Sequence, residues 1–249
     1  FQISPETATY IRVAVRRKVF RHLSGERLLR ELLFLLMEHR PVGSLRLLSQ
    51  LGLLNAIHPA LSLSARRLGL LERVERTLSW YDSLPARAEP LLRWQVYLLA
   101  LVDGLDRRRL VSLLDRLAIR GRARAVFLAA GAAVRSLEGA FRRLPADRAR
   151  IHSIGSRHPS EVLVFASART QRRSVRGALG NYLTQLAGTR LEISGRDLKE
   201  MGLEPGPAFA RILREVLRRK LRGEVSGRQE ELHLARQIAE GQGRSLSEY

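Results

Sequence analysis

Apolar residues recur at three- and four-residue spacings along most of this chain, the period of an amphipathic helix. Ser4-Pro5-Glu6-Thr7 reads as a helix start, with Ser4 as N-cap, Pro5 at the first position and Glu6 in the first turn. The first helix is predicted from Pro5 to about Phe20. Ser24 opens a second, to about Glu38, in which Leu28, Leu29, Leu32, Leu35 and Leu36 form a wide apolar stripe. Pro41-Val42-Gly43 breaks the pattern, a third helix runs from Ser44 to Gly52, and Leu53 to Pro59 is expected to be a turn with an apolar anchor. Leu70, Leu71, Val74 and Leu78 face inward from a longer helix over about Arg66 to Tyr81. Pro85 and Pro90 then mark a loop. Leu91 to Val102 is apolar enough to be a buried helix, and Asp106–Leu117, Arg122–Val134 and Leu137–Leu144 continue the pattern. His158-Pro159-Ser160-Glu161 starts another helix with Ser160 as cap, running into Ala168, and Gly177–Gln185 adds one more. Valine and isoleucine nowhere alternate with polar residues for long enough to make a strand. The fold class expected is all-α and multi-helical.

So many short helices exceed what one simple bundle holds, so successive small helical domains are expected, with soft boundaries near residues 62 and 177. These give units over residues 1–62, 63–176 and 177–249. No internal repeat of fixed period and no low-complexity tract is present.

Charge narrows the partner. The 249 residues carry 44 Lys+Arg against 24 Asp+Glu, a formal net charge of +20. Only Lys18, Lys199 and Lys220 are lysines, so the positive charge is nearly all guanidinium, whose planar donor fork grips phosphate oxygens in two places. A compact chain tolerates that self-repulsion more readily when a polyanion answers it, and nucleic acid is the commonest. An anionic membrane is the rival. The longest apolar runs (Leu32–Met37, Val96–Val102, Ala125–Val134) are too short to span one, no signal-peptide pattern is present, and the absence of cysteine excludes disulfides and thiolate metal sites. The reading is a cytoplasmic RNA or DNA binder with no membrane partner.

Catalytic chemistry is sparse. The six histidines (His22, His39, His58, His152, His158 and His233) are scattered, with no two at helical ligand spacing, so no metal site is expected. Asp103 and Asp106 stand three apart and could in principle hold Mg²⁺. The plainer reading makes Asp106 the cap of the next helix, with Arg107 to Arg109 crowding any ion. Nucleophile elbow, phosphate loop and dinucleotide-binding glycines are all missing. No catalytic residue is assigned in this chain.

Two basic features point to phosphate. Asp197 to Leu221 reads as a short amphipathic helix, a Gly-Leu-Glu-Pro-Gly-Pro turn and a longer basic helix. Pro205 fixes its own φ, Gly206 is free to take a positive φ, and Pro207 suits the first helical position. The N–H groups that follow would then offer a positive helix end to an anion. Arg211, Arg214, Arg218 and Arg222 share one face of the second helix, opposite Ile212, Val216 and Leu217. Arg169, Arg172, Arg173 and Arg176 fall at helical spacing on what would be one face, a stripe expected to meet phosphate. A solvated charged face is the plain alternative for both. Aromatics are scarce, so backbone and shape recognition of an RNA helix fits better than stacking on bases.

In His22-Leu23-Ser24-Gly25-Glu26-Arg27-Leu28, Ser24 caps a helix and Glu26 favours its positive end. Glu26 with Arg30 and Arg27 with Glu31 are i, i+4 pairs worth a few tenths of a kcal/mol each, roughly. This segment, with FQISPETATYIR, PVGSLRLLSQLGLLNAIHP and ISGRDLKEMGLEPGPAFARILREVLRRKLRGEV in the same order, resembles the bacterial tRNA nucleotidyltransferases of the poly(A) polymerase superfamily, the CCA-adding enzymes and their A-adding relatives. The resemblance covers residues 1–60 and 175–240 well and the middle only by helical character.

It implies a neck, body and tail that bind and position the tRNA acceptor and T arms, with Glu26 and Arg27 bracing the neck against a catalytic head. Gly195, Asp197, Pro205, Gly206 and Pro207 match the tail signature, and Lys199, Gly206, Arg211, Arg214 and Arg218 join the four stripe arginines as expected RNA contacts. Mg²⁺ and ATP or CTP are expected only with the head. Phe1 is not an initiator methionine and the chain starts beyond the family's nucleotide-selecting motif, so a head upstream or on another chain is expected. The alternatives are a free-standing helical RNA- or DNA-binding module and part of a bacterial poly(A) polymerase.

Overall fold

A computed structural model describes residues 3–84, 90–142 and 147–245, with side chains to residue 240. Among these residues the structure is helical throughout, with no strand. Phe1, Pro85, Leu144 and the end of the helix expected over Leu137–Leu144 lie outside them.

The N-terminal third follows its capping signals. α1 (Pro5–Arg16) starts on Ser4, whose side chain accepts from the Thr7 N–H, and ends four residues before Phe20. Lys18 turns into the left-handed region at φ 56°, and a 3-10 turn over Val19–His22 carries the chain on. α2 (Gly25–Leu36) is capped by Ser24 through the Arg27 N–H, and Leu28, Leu32 and Leu36 are its buried stripe. α3 (Pro41–Gln50) begins earlier than expected. Pro41 does break the preceding helix, but its missing N–H costs nothing at a first helical position, so it opens the next one. The expected turn after Gly52 closes into a one-turn helix, α4 (Leu53–Ile57).

The body is built around α5 (Ala65–Asp82), with Leu70, Leu71, Val74 and Leu78 inward, and α6 (Arg93–Val102), which is buried from Gln95 onward. α7 (Arg107–Arg116) is capped by Asp106, whose carboxylate accepts from the Arg109 N–H at 2.8 Å. The two helices expected over residues 122–144 are one, α8 (Gly121–Phe141). Nothing at Arg135-Ser136 breaks a helix, and buried Phe127, Ala130, Val134, Leu137 and Phe141 keep the three-four spacing across it. α9 (Arg148–Gly155) is an addition to the expected elements, being short and weakly patterned. α10 (Ser160–Arg169) starts with Pro159, not Ser160, at the cap, and Val162 to Ala168 are all buried. Burial on every side erases a helical period, as expected of a central helix.

α11 (Arg173–Asn181) begins before Gly177 and runs into a π-helical turn, Tyr182–Leu186, closed by the Ala187 N–H on the Tyr182 carbonyl at 2.8 Å. The tail comprises α12 (Gly195–Glu200), α13 (Pro207–Arg222) and α14 (Gly227–Ser245), the last another addition. Two apolar clusters result. One joins neck and body from Leu28 to Ala187 and takes in Leu221 of α13. The other gathers Ile193, Leu198, Ile212, Val216, Leu234 and Ala235. The soft boundaries near residues 62 and 177 both fall inside the first cluster, and the break between clusters lies between Ala187 and Ile193.

Candidate nucleic-acid interface

Arg169, Arg172, Arg173 and Arg176 do not form one helical face. α10 stops at Arg169 and α11 starts at Arg173, with Thr170 extended at ψ 139° between them. The stop is local chemistry. The Thr170 hydroxyl accepts from the Arg172 N–H at 3.3 Å, a side-chain bond that competes with the helical one. Guanidiniums from elsewhere then take the freed carbonyls: Arg73 Nε donates to Ala168 O at 3.0 Å and Arg176 Nη2 to Thr170 O at 3.0 Å. Cations at a helix C-terminus also offset its negative end. Arg169 is answered inside the molecule, donating to Asp103 at 2.9 Å and to Glu138 at 3.4 Å. Asp103 is thus an ion-pair partner and, like Asp106, is already engaged within the protein.

The broken stripe nonetheless gathers charge. Beside the α10 end lies a cleft of about 380 Å³ lined by Arg73, Arg76, Thr77 and Trp80 of α5 and by Arg176. A neighbouring cavity of about 520 Å³ shares Arg73 and adds Arg66, Arg169 and Arg172. The hydrogen bonds of Arg73 and Arg176 fix their planes while leaving other N–H groups for a ligand. Trp80 is 37% exposed at the rim, an aromatic face beside guanidiniums. Sequence spacing does not single out Arg73, Arg76 and Trp80, although they stand at i, i+3 and i+7 on α5. The inward leucines dominate the pattern of that helix, and only packing against α10 shows what its other face meets.

In the tail, Ser194 and Asp197 make the reciprocal cap of α12: the Ser194 N–H donates to Asp197 at 2.7 Å and its hydroxyl at 2.9 Å. Arg228 of α14 donates to the same carboxylate, and that guanidinium and the Ser194 donors hold the Asp197 pKa down at about 2. Glu231, fully buried, accepts from the Glu192 and Ile193 N–H groups at 2.8 and 3.2 Å and from Lys220 Nζ at 2.6 Å. These bonds tie the entry of the tail to α13 and α14. Gly206 does not take a positive φ: at 179° it is extended, and the left-handed turn falls on Gly202 at 83°. The Phe209 N–H folds back onto the Gly206 carbonyl at 3.0 Å, which occupies one of the donors expected to face outward. Pro207 does hold the first helical position.

Arg211, Arg214 and Lys199 are exposed and make no ion pair among the described residues. Arg218 is different, since Glu215 receives it at 2.7 Å and holds its pKa up, and Arg222 bridges to Asp147 before α9 at 2.9 Å. The helical face is as expected, but half of its charge is spent within the protein.

Glu26 and Arg27 are exposed, and no ion pair forms with Arg30 or Glu31. The residue between them and the Ser24 cap has a clear packing role. A Cβ on Gly25 would sit 2.6 Å from the Arg116 carbonyl oxygen, because the start of α2 rests on the end of α7. Arg116 locks that approach by donating to Phe20 O at 2.7 Å and Leu23 O at 3.0 Å. His58 is a second tie: Nδ1 accepts from the Ala60 N–H at 3.1 Å, so Nε2 is left to donate to Ser112 Oγ of α7, also at 3.1 Å. Burial and Arg116 push the His58 pKa down, which keeps the ring neutral. Among the described residues no group of three or more His, Asp or Glu could hold a metal ion, and no helix is long and apolar enough to cross a membrane.

Comparison with known proteins places this arrangement. Residues 1–64 match the family described as the probable RNA and SrmB-binding site of polymerase A. The A-adding tRNA nucleotidyltransferase of Geobacter sulfurreducens is 34% identical over 245 residues, covering 96% of this chain and 28% of that protein. The CCA-adding enzyme of Thermotoga maritima complexed with tRNA superposes with a TM-score of 0.73 at 21% identity, over 94% of this chain and 56% of that one. A CCA-adding enzyme solved with CTP gives 0.68 at 21% identity, over 94% and 55%. The chain therefore spans little more than a quarter of the curated relative and about half of each solved structure. By sequence the chain is similar along nearly its whole length to an A-adding tRNA nucleotidyltransferase, and it shares its fold with solved CCA-adding enzymes.

Proposed function

We propose that this chain binds and positions tRNA for a 3′-terminal nucleotidyltransferase, CCA- or A-adding, whose catalytic head is supplied upstream or by another chain. The observation that carries the reading is the guanidinium-lined surface at the α5, α10 and α11 junction, in a chain related over 96% of its length to an A-adding enzyme. Arg73, Arg76, Arg172, Arg173 and Arg176 contact phosphates there, with Arg211, Arg214 and Lys199 continuing the contact on the tail. Arg169 and Arg218 orient their neighbours, because carboxylates already hold them. Mg²⁺ and ATP or CTP act with the head, and Glu26 and Arg27 meet it on the exposed side of α2.

The test is a paired assay of the isolated chain. It should bind tRNA in a gel-shift or fluorescence titration, yet incorporate no labelled ATP or CTP at any Mg²⁺ concentration. Incorporation by the chain itself would place catalysis here instead. Equal affinity for tRNA and for unrelated duplex DNA would favour the free-standing nucleic-acid-binding module.

A further inference from the structure

At the opposite end of α10 from the cleft just described lies a separate cavity of about 410 Å³. Its lining includes Arg122, His152, Arg157, His158, Tyr182 and Arg190, with no carboxylate. The nearest acid in sequence, Glu161, is spent on the Leu92 N–H at 3.1 Å. Three guanidiniums and two imidazoles therefore surround a void with no acid among the described residues to answer them. Burial and Arg190 push the His152 pKa down, and burial and Arg157 do the same for His158.

We propose that this cavity is a phosphate-binding site. Four features support it independently. The N-terminus of α10 opens onto it: Pro159 offers no side-chain cap, and although the Val162 N–H folds back onto the Pro159 carbonyl at 3.0 Å, the Ser160 and Glu161 N–H groups and the positive helix end are left for a ligand. His152 lines the cavity with only 9% of its surface exposed, and no group among the described residues hydrogen-bonds its ring. Arg190 is held in place by donating Nη1 to the Ala187 and Thr189 carbonyls at 2.9 and 3.1 Å, which leaves Nη2 and Nε as donors in a fixed plane. Tyr182 of the wall is also closely packed from behind. A Cβ on Gly155 would lie 2.5 Å from the Tyr182 ring, and Tyr182 opens the π-helical turn. Such turns are rare and concentrate at functional sites. A phosphate supplies up to two negative charges and several acceptors, which matches a pocket lined by three guanidiniums and no carboxylate.

The phosphate could belong to an RNA backbone or to a small phosphate, and one experiment distinguishes them. Inorganic phosphate is titrated while the His152 and His158 ring signals are followed by NMR, in the unaltered chain and in the Arg122→Gln and Arg157→Gln variants. Both arginines are exposed and make no ion pair among the described residues, so the variants should melt like the parent. Saturable movement of the His152 signal, about tenfold weaker in either variant, is expected. Loss of tRNA affinity in the same variants, with a salt slope shallower by about 0.7–0.9 per arginine, would assign the site to an RNA phosphate. Unchanged tRNA affinity would assign it to a small phosphate. Movement that never saturates, matches chloride at equal ionic strength and persists in both variants, with tRNA affinity also unchanged, overturns the proposal. A chain that fails to bind tRNA at all would sink the proposed function, and the phosphate titration would still decide this site.

Discussion

At the residue scale, the informative side chains are those whose charge is already used and those whose charge is not. Asp197 is of the first kind. Its pKa, held at about 2 against an ordinary 3.8, means that it stabilises the folded tail above about pH 4 and stops doing so as pH falls toward 2. Asp197→Asn should therefore lower the melting temperature at neutral pH, and the gap to the parent should close between about pH 4 and pH 2; circular dichroism melts at a series of pH values check this. Glu26 and Arg27 are of the second kind. Exposed and unpaired, each should tolerate alanine within about 0.5 kcal/mol of stability in denaturant titrations. Under the proposed function, the same changes in a nucleotidyltransferase that includes a catalytic head should lower turnover more than tRNA affinity. An equal loss of stability with and without the head would make them ordinary structural residues.

Elements meet closely at one place that a sequence pattern does not reveal. The start of α2 lies against the last turn of α7, and only a glycine fits at Gly25 because the obstacle is the Arg116 backbone oxygen, not a flexible side chain. Gly25→Ala should cost about 1–3 kcal/mol, the usual range for overpacking. Gly139, inside α8 with open space for 4 Å around the place a Cβ would take, makes the control. Gly139→Ala should stabilise by about 0.5–1 kcal/mol, since alanine loses less backbone freedom than glycine in a helix interior. Urea unfolding of the two variants beside the parent decides between them, and like-signed effects would remove the close-approach explanation. The same scale explains where elements depart from the pattern. α8 reads as two helices from its separate apolar runs, yet the spacing from Phe127 to Phe141 is continuous and the helix follows it. α10 stops at Arg169 because the Thr170 hydroxyl and the Arg73 and Arg176 guanidiniums satisfy its end, and two of these three come from other helices.

For the whole molecule, a formal charge of +20 predicts that tRNA affinity falls steeply with salt. Replacing Arg76, Arg172, Arg173 or Arg176 by alanine should each make the slope of log K against log salt shallower by about 0.7–0.9, similarly for different tRNAs, because phosphate contacts carry no sequence information. Arg169→Ala should act differently. It leaves Asp103 and Glu138 without this partner beside the α10 end, so the loss should fall on stability, with the slope nearly unchanged. If Arg76, Arg172, Arg173 and Arg176 can all become alanine without changing low-salt affinity, the surface is merely solvated.

The helical class, most of the inward stripes, the Ser4, Ser24 and Asp106 caps and the resemblance to tRNA nucleotidyltransferases were legible in the sequence. Each is a local matter of period, capping chemistry or a run of neighbouring residues. What the sequence could not decide was which arginines remain available. Spacing put Arg169 and Arg218 among the phosphate contacts; the Glu215 partner of Arg218 stands only three residues away on the same helix, but Asp103 and Glu138 reach Arg169 from 66 and 31 residues away. Spacing likewise omitted Arg73, Arg76 and the Arg122, Arg157 and Arg190 cavity, because their partners are separated along the chain and meet only when α10 packs at the centre. Charge content is a property of composition, whereas the balance of paired and free charge is set by distances between remote residues, and only the tertiary structure fixes those.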